Sequence, residues 1–205
     1  VNTAALPEPI TPGVDNKKPA SKPEVKLPFT DVSTSDWFYD DVAFVYENGL
    51  FSGTDSRSFS PNASMTRAML VTVLYRLEGE PTVTGRSSFT DVRSGAYYEK
   101  SVIWAAANGI VTGTDAVHFS PDASCTRAQL VTFLWRAAGS PAVNYAMNFN
   151  DVDGGAYYAE AVRWAASEKV VEGTTAETFA PDAAVTRAQV VTMLYRFAQA
   201  QGMDT

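Results

Sequence analysis

Apolar residues recur along the chain at the spacing of amphipathic helices, separated by turn-rich stretches. Val102, Ala105 and Ile110 fall on one helical face in one segment, and Leu70 and Leu74 belong to a wider apolar stripe in another. Each unit of the pattern therefore predicts a helix, a loop and a second helix. First helices are expected at Trp37–Asn48, Tyr97–Asn108 and Tyr157–Lys169, and second helices are expected to start at Thr66, Thr126 and Thr186.

The helix-loop-helix pattern occurs three times with a fixed period, since the motif that begins at Phe29 returns at Phe89 and Phe149. Two helices of this size cannot bury their own apolar faces, so the repeats must pack on one another. We predict an all-α fold in which three repeats close into a pseudo-threefold bundle, with an open solenoid as the alternative. The expected divisions are a proline-rich linker at 1–28 and repeats at 29–86, 87–146 and 147–205.

The second helices begin with residues that suit helix capping. Thr126 is followed three positions later by Gln129, and Gln189 stands in the same relation to Thr186, which predicts two capping boxes. Met69 occupies this position in the first repeat and cannot make the reciprocal bond. No full strand is predicted, and the candidates for extended backbone are the short pieces at 29–31, 89–91 and 149–151.

Composition narrows the class of protein. Hydrophobic residues make up 45% of the chain and the net charge is −7, which favours a globular protein and argues against nonspecific binding to nucleic acid or an anionic membrane. No apolar run is long enough to insert into a bilayer. Cys125 and His118, the only cysteine and histidine, are too few for a zinc site, and we expect neither metal nor cofactor. Because the chain begins at Val1, we expect a processed protein or a piece of a longer one.

The recurring motifs Phe-x-Asp-Val, Gly-Thr, Phe-x-Pro and Thr-Arg-Ala give the chain a pattern that resembles the S-layer homology (SLH) module. Three tandem copies are the usual complement of that family. The resemblance implies a three-pronged, all-helical pseudo-trimer, which we expect to be monomeric. It also implies noncovalent, non-enzymatic anchoring of extracellular proteins to the bacterial cell wall. The implied ligand is a secondary cell-wall polysaccharide bearing ketal-linked pyruvate, bound in grooves between repeats.

The arginine of the family's Thr-Arg-Ala-Glu motif, its signature ligand contact, maps onto Arg67, Arg127 and Arg187. A cation at a helix N-terminus opposes the helix dipole, so its presence in all three copies favours a functional role. We expect these guanidinium groups to reach outward, beside unpaired helix amides, as receptors for the carboxylate. Gln129 and Gln189 replace the family's glutamate and are included in the predicted site. Arg76 and its copies, near the helix C-termini, are interpreted as structural.

Three more sets of equivalent residues complete the predicted site. The aspartates could fix the following turn or hydrogen-bond to the glycan. The Gly-Thr pairs could bring backbone and hydroxyl groups close to a sugar, because glycine permits close approach. The aromatic rings could stack on a sugar face or belong to the core. The sets are Asp31, Asp91 and Asp151; Gly53, Thr54, Gly113, Thr114, Gly173 and Thr174; and Trp37, Tyr97 and Tyr157.

Other functions stay open at this point. Some SLH modules are thought to bind polyamine-modified peptidoglycan, a cationic target that the repeated arginines disfavour. A glycosidase would use two of the aspartates as acid and base, and a protein-binding scaffold would need a broad apolar surface. Because the second repeat has the most complete set of motifs, we expect Arg127→Ala to weaken wall binding more than Arg187→Ala.

Overall fold

The computed structural model describes residues 25–203, and all regular secondary structure in that range is helical. Each repeat contributes a short helix, a loop and a longer helix, which confirms the all-α prediction. The short helices begin slightly later than predicted, α1 at Tyr39 rather than Trp37. Residues 1–24 of the predicted linker lie outside the described range. The helices are α1 Tyr39–Glu47, α2 Arg67–Leu77, α3 Glu99–Ala107, α4 Arg127–Ala137, α5 Ala159–Ser167 and α6 Arg187–Ala200.

The predicted capping boxes are present at the start of α4 and α6. In α4 the Thr126 hydroxyl accepts a hydrogen bond from the Gln129 backbone N–H, and the Gln129 side chain accepts one from the Thr126 backbone N–H. Thr186 and Gln189 repeat this arrangement. The first repeat keeps only half of it, because Thr66 caps the N–H of Met69 and receives no bond in return.

The short helices all end on a residue in the left-handed region. Gly49 has φ 67° and Gly109 has φ 68°, as expected of a glycine that stops a helix. Lys169 adopts the same conformation in the third repeat, with φ 58°. The short helix of the third repeat, α5, therefore ends as α1 and α3 do, although Lys169 carries a Cβ atom that makes this backbone conformation costly.

Three short extended segments, one from each repeat, join at the pseudo-threefold axis. The N–H of Met65 donates to the carbonyl of Val185 at 3.0 Å, that of Val185 to Cys125 at 3.0 Å, and that of Cys125 to Met65 at 2.8 Å. These bonds form a closed ring, which rules out an open solenoid. The segments precede the second helices, so the candidate extended pieces at 29–31, 89–91 and 149–151 were the wrong part of each repeat.

Helices pair across repeats. The second helix of each repeat packs against the first helix of the next, so that α2 contacts α3, α4 contacts α5 and α6 contacts α1. One continuous apolar core runs through the three repeats, with Phe59, Phe119 and Phe179 fully buried in equivalent places. Cys125 is also buried, and burial raises the pKa of its thiol to about 12. It is therefore an apolar core residue.

Candidate functional site

A groove runs between neighbouring repeats beside each second helix. Groove A, with a cavity of about 250 Å³, is lined by the loop 50–53, by Met65, by the face of α2 from Met69 to Arg76, by Tyr97 and by Arg187. The loop and α2 belong to the first repeat, the ring to the second and the arginine to the third. One groove is thus built from all three repeats.

The 60-residue period places the corresponding residues in two further grooves. Groove B combines the loop 110–113 and α4 with Tyr157 and Arg67, and Arg67 donates to the carbonyl of Thr112 at 2.9 Å. Groove C combines the loop 170–173 and α6 with Trp37 and Arg127, and Arg127 donates to the carbonyl of Glu172 at 2.9 Å. Arg127 therefore does not share a groove with the second repeat's loop. The expected ranking of Arg127→Ala over Arg187→Ala assumed that it did and loses its basis.

The arginines of the Thr-Arg-Ala motifs lie inside the protein. Arg67, Arg127 and Arg187 are only 3%, 4% and 8% exposed, so the prediction that their side chains reach outward is wrong. Each side chain points toward the loop of the next repeat, so that Arg67 meets the second repeat, Arg127 the third and Arg187 the first. Nε donates to the carbonyls of Phe119, Phe179 and Phe59, and Nη2 to those of Thr112, Glu172 and Ser52, at 2.7–2.9 Å.

These buried guanidinium groups keep their charge without an ion-pair partner. None of the ion pairs within residues 25–203 involves Arg67, Arg127 or Arg187. Burial lowers their pKa, but the pKa of an arginine side chain is so high in water that these groups stay protonated. Each also lies over a buried phenylalanine ring, at 4.5–4.7 Å from the ring centre.

The third nitrogen of each guanidinium is the one that can meet a ligand. Nη1 has no hydrogen bond to any residue that the structure describes, yet no buried side-chain nitrogen in that range lacks a partner. Nη1 must therefore touch solvent, and Arg187 does so as part of the lining of groove A. The arrangement offers an anion N–H donors and a positive charge that has no carboxylate within ion-pair distance among the described residues.

The helix amides expected to be unpaired are already used by the protein. In α2 the N–H groups of Arg67 and Ala68 donate at 3.0 Å to the carbonyls of Ala123 and Pro121, and the N–H of Met69 donates to Thr66. The same bonds recur at α4 and α6. The prediction of a receptor made from free helix amides is therefore wrong, because these N–H groups donate to carbonyls of the neighbouring repeat or to the capping threonine.

The aspartates that recur in all three repeats fix a turn in each loop. The two carboxylate oxygens of Asp91 accept hydrogen bonds from the N–H groups of Phe119 and Ser120, at 2.9 and 2.7 Å. Partial burial opposes ionisation, but these bonds outweigh it and lower the pKa of Asp91. Ser120 has φ 58° and needs this support. Asp31 and Asp151 make the same two bonds, which supports the turn-fixing role over direct glycan contact.

The Gly-Thr pairs also have structural reasons to be there. A Cβ atom on Gly53 would lie 2.3 Å from the Asp55 carbonyl oxygen and 2.6 Å from the ring of Phe29, and Gly113 and Gly173 are equally confined. The Thr54 hydroxyl lies 3.2 Å from the Ser58 carbonyl oxygen, and Thr114 and Thr174 repeat this contact. Gly53 nonetheless forms part of the wall of groove A.

The aromatic residues before the short helices are the exposed members of the predicted site. Trp37, Tyr97 and Tyr157 are 67%, 63% and 62% exposed, so the core assignment does not hold for them. Each stands edge-on against a neighbouring ring, Phe38, Tyr98 or Tyr158, at 5.0–5.1 Å between centres. This contact holds the ring in position while most of its surface stays exposed.

Residues that the sequence did not assign to the site also line groove A. Arg76 is among them, and its Nη1 donates to the carbonyl of Leu50 at 3.0 Å, so it combines the structural role expected of it with a place in the groove. Thr72 is the second. Both are identical in all three repeats, and Thr72 is a polar residue within an apolar helix face, which was the available signal.

Comparison with known proteins assigns the family. The model of the S-layer homology domain matches residues 28–68, 88–131 and 148–191. The chain belongs to the S-layer homology family. Its three matched segments coincide with the three structural repeats, and the family locates the chain at the bacterial cell surface, in association with the cell wall.

Relatives with this module have diverse names. The chain is 35% identical over 106 residues to the surface-layer 125 kDa protein of Lysinibacillus sphaericus, which covers 48% of the chain and 9% of that protein. It is 30% identical over 187 residues to an endoglucanase of Bacillus sp. strain KSM-635, covering 84% of the chain and 19% of the enzyme. A cellulosome-anchoring protein of Acetivibrio thermocellus is 29% identical over 132 residues, or 62% and 29% of the two chains. The SLH chain thus spans less than a third of the length of these relatives.

Residues 25–203 contain neither a membrane-spanning helix nor a cluster of metal-binding side chains. No helix there is long and apolar enough to cross a bilayer. No cluster of three or more histidine, cysteine, aspartate or glutamate side chains there is suited to hold a metal ion.

Proposed function

We propose that this chain anchors the protein that carries it to the bacterial cell wall by binding an acidic wall polysaccharide in grooves between its repeats. The ligand class is a secondary cell-wall polysaccharide with ketal-linked pyruvate. The observation that best supports this proposal is the buried guanidinium in each groove. It has no carboxylate within ion-pair distance among the described residues, and its Nη1 is open to solvent.

The groove provides two kinds of contact that suit such a sugar. The Nη1 group donates a hydrogen bond to a carboxylate oxygen, and the charge of the guanidinium strengthens it in a partly desolvated site. The exposed face of Tyr97, or its counterpart in the other grooves, packs against the apolar face of a sugar ring. Because Nε and Nη2 are held by backbone carbonyls, the cation is fixed in position before the ligand arrives.

The relatives support the anchoring function more than an enzymatic one. An S-layer protein, an endoglucanase and a cellulosome-anchoring protein share this module as a small part of their length. A glycosidase would need two carboxylates free to act as acid and base, whereas Asp31, Asp91 and Asp151 are all engaged by backbone N–H groups. A cationic target such as polyamine-modified peptidoglycan would be repelled by the guanidinium groups.

The experiment measures binding to purified cell-wall sacculi before and after mild acid removes the secondary polymer. Binding is expected to the intact sacculi and not to the stripped ones, and equal binding to both would contradict a polysaccharide ligand. Titration with a methyl glycoside carrying a 4,6-linked pyruvate ketal tests the anionic group, with the pyruvate-free glycoside as its control.

Exposed rings are the residues to vary in this test, because replacing a buried arginine would disturb the fold. We expect Tyr97→Ala and Tyr157→Ala each to weaken binding in their own groove by about five- to tenfold, the size of one aromatic contact. Tyr145→Ala removes an exposed ring that lies outside grooves A and B, in a separate cavity beside the loop 171–173, and is the matched control for both. Equal loss in the control would show that the effect is not specific to the grooves.

A further inference from the structure

The three grooves share one scaffold but differ in charge at a single loop position. The residue before the invariant glycine is Ser52 in groove A, Thr112 in groove B and Glu172 in groove C. In each groove its backbone carbonyl accepts the Nη2 bond of the buried arginine. Only groove C therefore carries a carboxylate on the residue that touches the proposed anion receptor.

This glutamate changes the partner of the second arginine in the groove. Arg76 in groove A and Arg136 in groove B donate from Nη1 to backbone carbonyls, at 3.0 and 3.5 Å. In groove C, Nη1 of Arg196 lies 3.6 Å from the carboxylate of Glu172 instead. In groove C an exposed carboxylate therefore lies within ion-pair distance of this arginine, whereas Arg76 and Arg136 have no carboxylate within that distance among the described residues.

A second carboxylate lies on the same side of the molecule. Asp41 on α1 is buried and accepts a hydrogen bond from Thr192 on α6, the counterpart of Thr72 in groove A. Ser101 and Ala161 stand at this position in the other repeats. Thr72 and Thr132, lacking such a partner, donate to the carbonyls of Ala68 and Ala128 in their own helices. Groove C is thus bordered by two carboxylates.

A second sequence position also differs in charge between the repeats. Asp122 and Asp182 follow the proline of the Phe-x-Pro motif in the second and third repeats, where the first repeat has Asn62. Neither aspartate is in an ion pair among the described residues, whereas Glu172 is within ion-pair distance of Arg196.

We propose that Glu172 is a specificity-determining residue that disfavours the acidic glycan in groove C and so directs it to grooves A and B. This inference rests on the proposed function, because it concerns how the same ligand is distributed among the grooves. An anion in groove C meets a carboxylate beside the receptor and must compete with it for Arg196. We expect its affinity there to be about fivefold lower at least, and the difference to shrink as salt is added.

The experiment uses the groove-specific side chains as reporters. The whole chain, labelled with ¹⁵N, is titrated with the pyruvate-ketal methyl glycoside, and the Nε–H signals of Arg187, Arg67 and Arg127 report on grooves A, B and C. The indole N–H of Trp37 is a second reporter for groove C. In the wild type, the Arg187 and Arg67 signals are expected to shift at lower glycoside concentration than those of Arg127 and Trp37.

Exchanging the residue before the invariant glycine should change the affinity of the groove to which it belongs. Glu172→Thr, which copies groove B, is expected to bring the Arg127 and Trp37 signals to the concentration at which the others shift. Thr112→Glu is expected to weaken groove B to the level of groove C. Glu168→Asn removes the same charge from the exposed end of α5 and copies the other repeats, so it is the control.

The outcomes separate this inference from the proposed function. Equal shifts in all three wild-type grooves, or no change in groove C with Glu172→Thr, would overturn the role of Glu172 and leave glycan binding intact. Absence of any shift with every variant would overturn the pyruvate-ketal ligand itself. An equal effect of Glu168→Asn would assign the change to net charge and overturn the specific role.

Discussion

The arginine of each Thr-Arg-Ala motif serves the fold and the groove with different atoms. Arg187 holds the carbonyls of Phe59 and Ser52 through Nε and Nη2, and leaves Nη1 at the bottom of groove A. Lysine has one compact ammonium group and cannot hold two carbonyls in this fork geometry. The choice of arginine at all three positions is therefore explained by the loop contact as much as by a ligand.

Lys169 is a residue whose backbone conformation suggests a stabilising substitution. Its φ of 58° belongs to the left-handed region, where the other two repeats use Gly49 and Gly109. A residue with a Cβ atom pays about 1 kcal/mol or more for this conformation, and glycine does not. We expect Lys169→Gly to raise the free energy of unfolding by about 0.5–1 kcal/mol, measured by chemical denaturation.

The matched variant for this prediction is Lys169→Ala, which removes the same side chain but keeps the Cβ atom. It should leave stability nearly unchanged or lower it slightly. If alanine stabilised the protein as much as glycine, the side chain of Lys169 and not its backbone strain would be the cause.

At the scale of the helices, the first repeat differs from the others in how its long helix begins. α4 and α6 have complete capping boxes, whereas Met69 leaves the Thr66 backbone N–H without the reciprocal bond. One net hydrogen bond contributes about 0.5–1.5 kcal/mol. We expect Met69→Gln to stabilise the protein and Gln129→Met to destabilise it, each by about that amount.

Thermal and chemical unfolding of the two variants measure this effect, which should have opposite signs in the two repeats. Destabilisation by both would show that Met69, which is 39% exposed, has apolar contacts that outweigh the missing bond.

Sequence reasoning succeeded for features set by neighbouring residues and failed for those set by distant ones. The helices and the capping boxes depend on residues a few positions apart, and they were predicted. The orientation of Arg67 depends on carbonyls at Thr112 and Phe119, in another repeat. The period showed that the repeats must pack together, but it did not show which loop lies next to which arginine. The predicted grooves therefore combined each arginine with the wrong loop.

At the scale of the whole molecule, closure of the ring places α6 against α1, the two ends of the repeat array. This contact contains a buried acid that the other two lack. Asp41 accepts a hydrogen bond from Thr192, and Arg196 and Asp40 are the charged groups that act on it. Burial is the largest influence and raises the pKa of the Asp41 carboxyl.

A raised pKa gives the stability of this contact a defined dependence on pH. A carboxyl that binds its proton more tightly in the folded state stabilises the fold fully below its unfolded pKa, near 3.8, and this contribution is lost as pH rises through the folded pKa. At neutral pH the Asp41 carboxyl therefore lowers the stability of the fold. Asp41→Asn removes the charge and keeps an oxygen that can accept the Thr192 bond.

We expect Asp41→Asn to raise the melting temperature at pH 7 by roughly 2–4 °C, the shift that about 1 kcal/mol gives in a domain of this size. The gain should shrink as pH falls toward 3.8, where the wild-type carboxyl is also neutral. Asp91 and Asp151, whose pKa values are lowered, destabilise both proteins on acidification and cancel in the difference. Asp40→Asn, at an exposed neighbour, is the control. A gain independent of pH, or an equal gain in the control, would show that the buried charge is not what weakens the contact between α1 and α6.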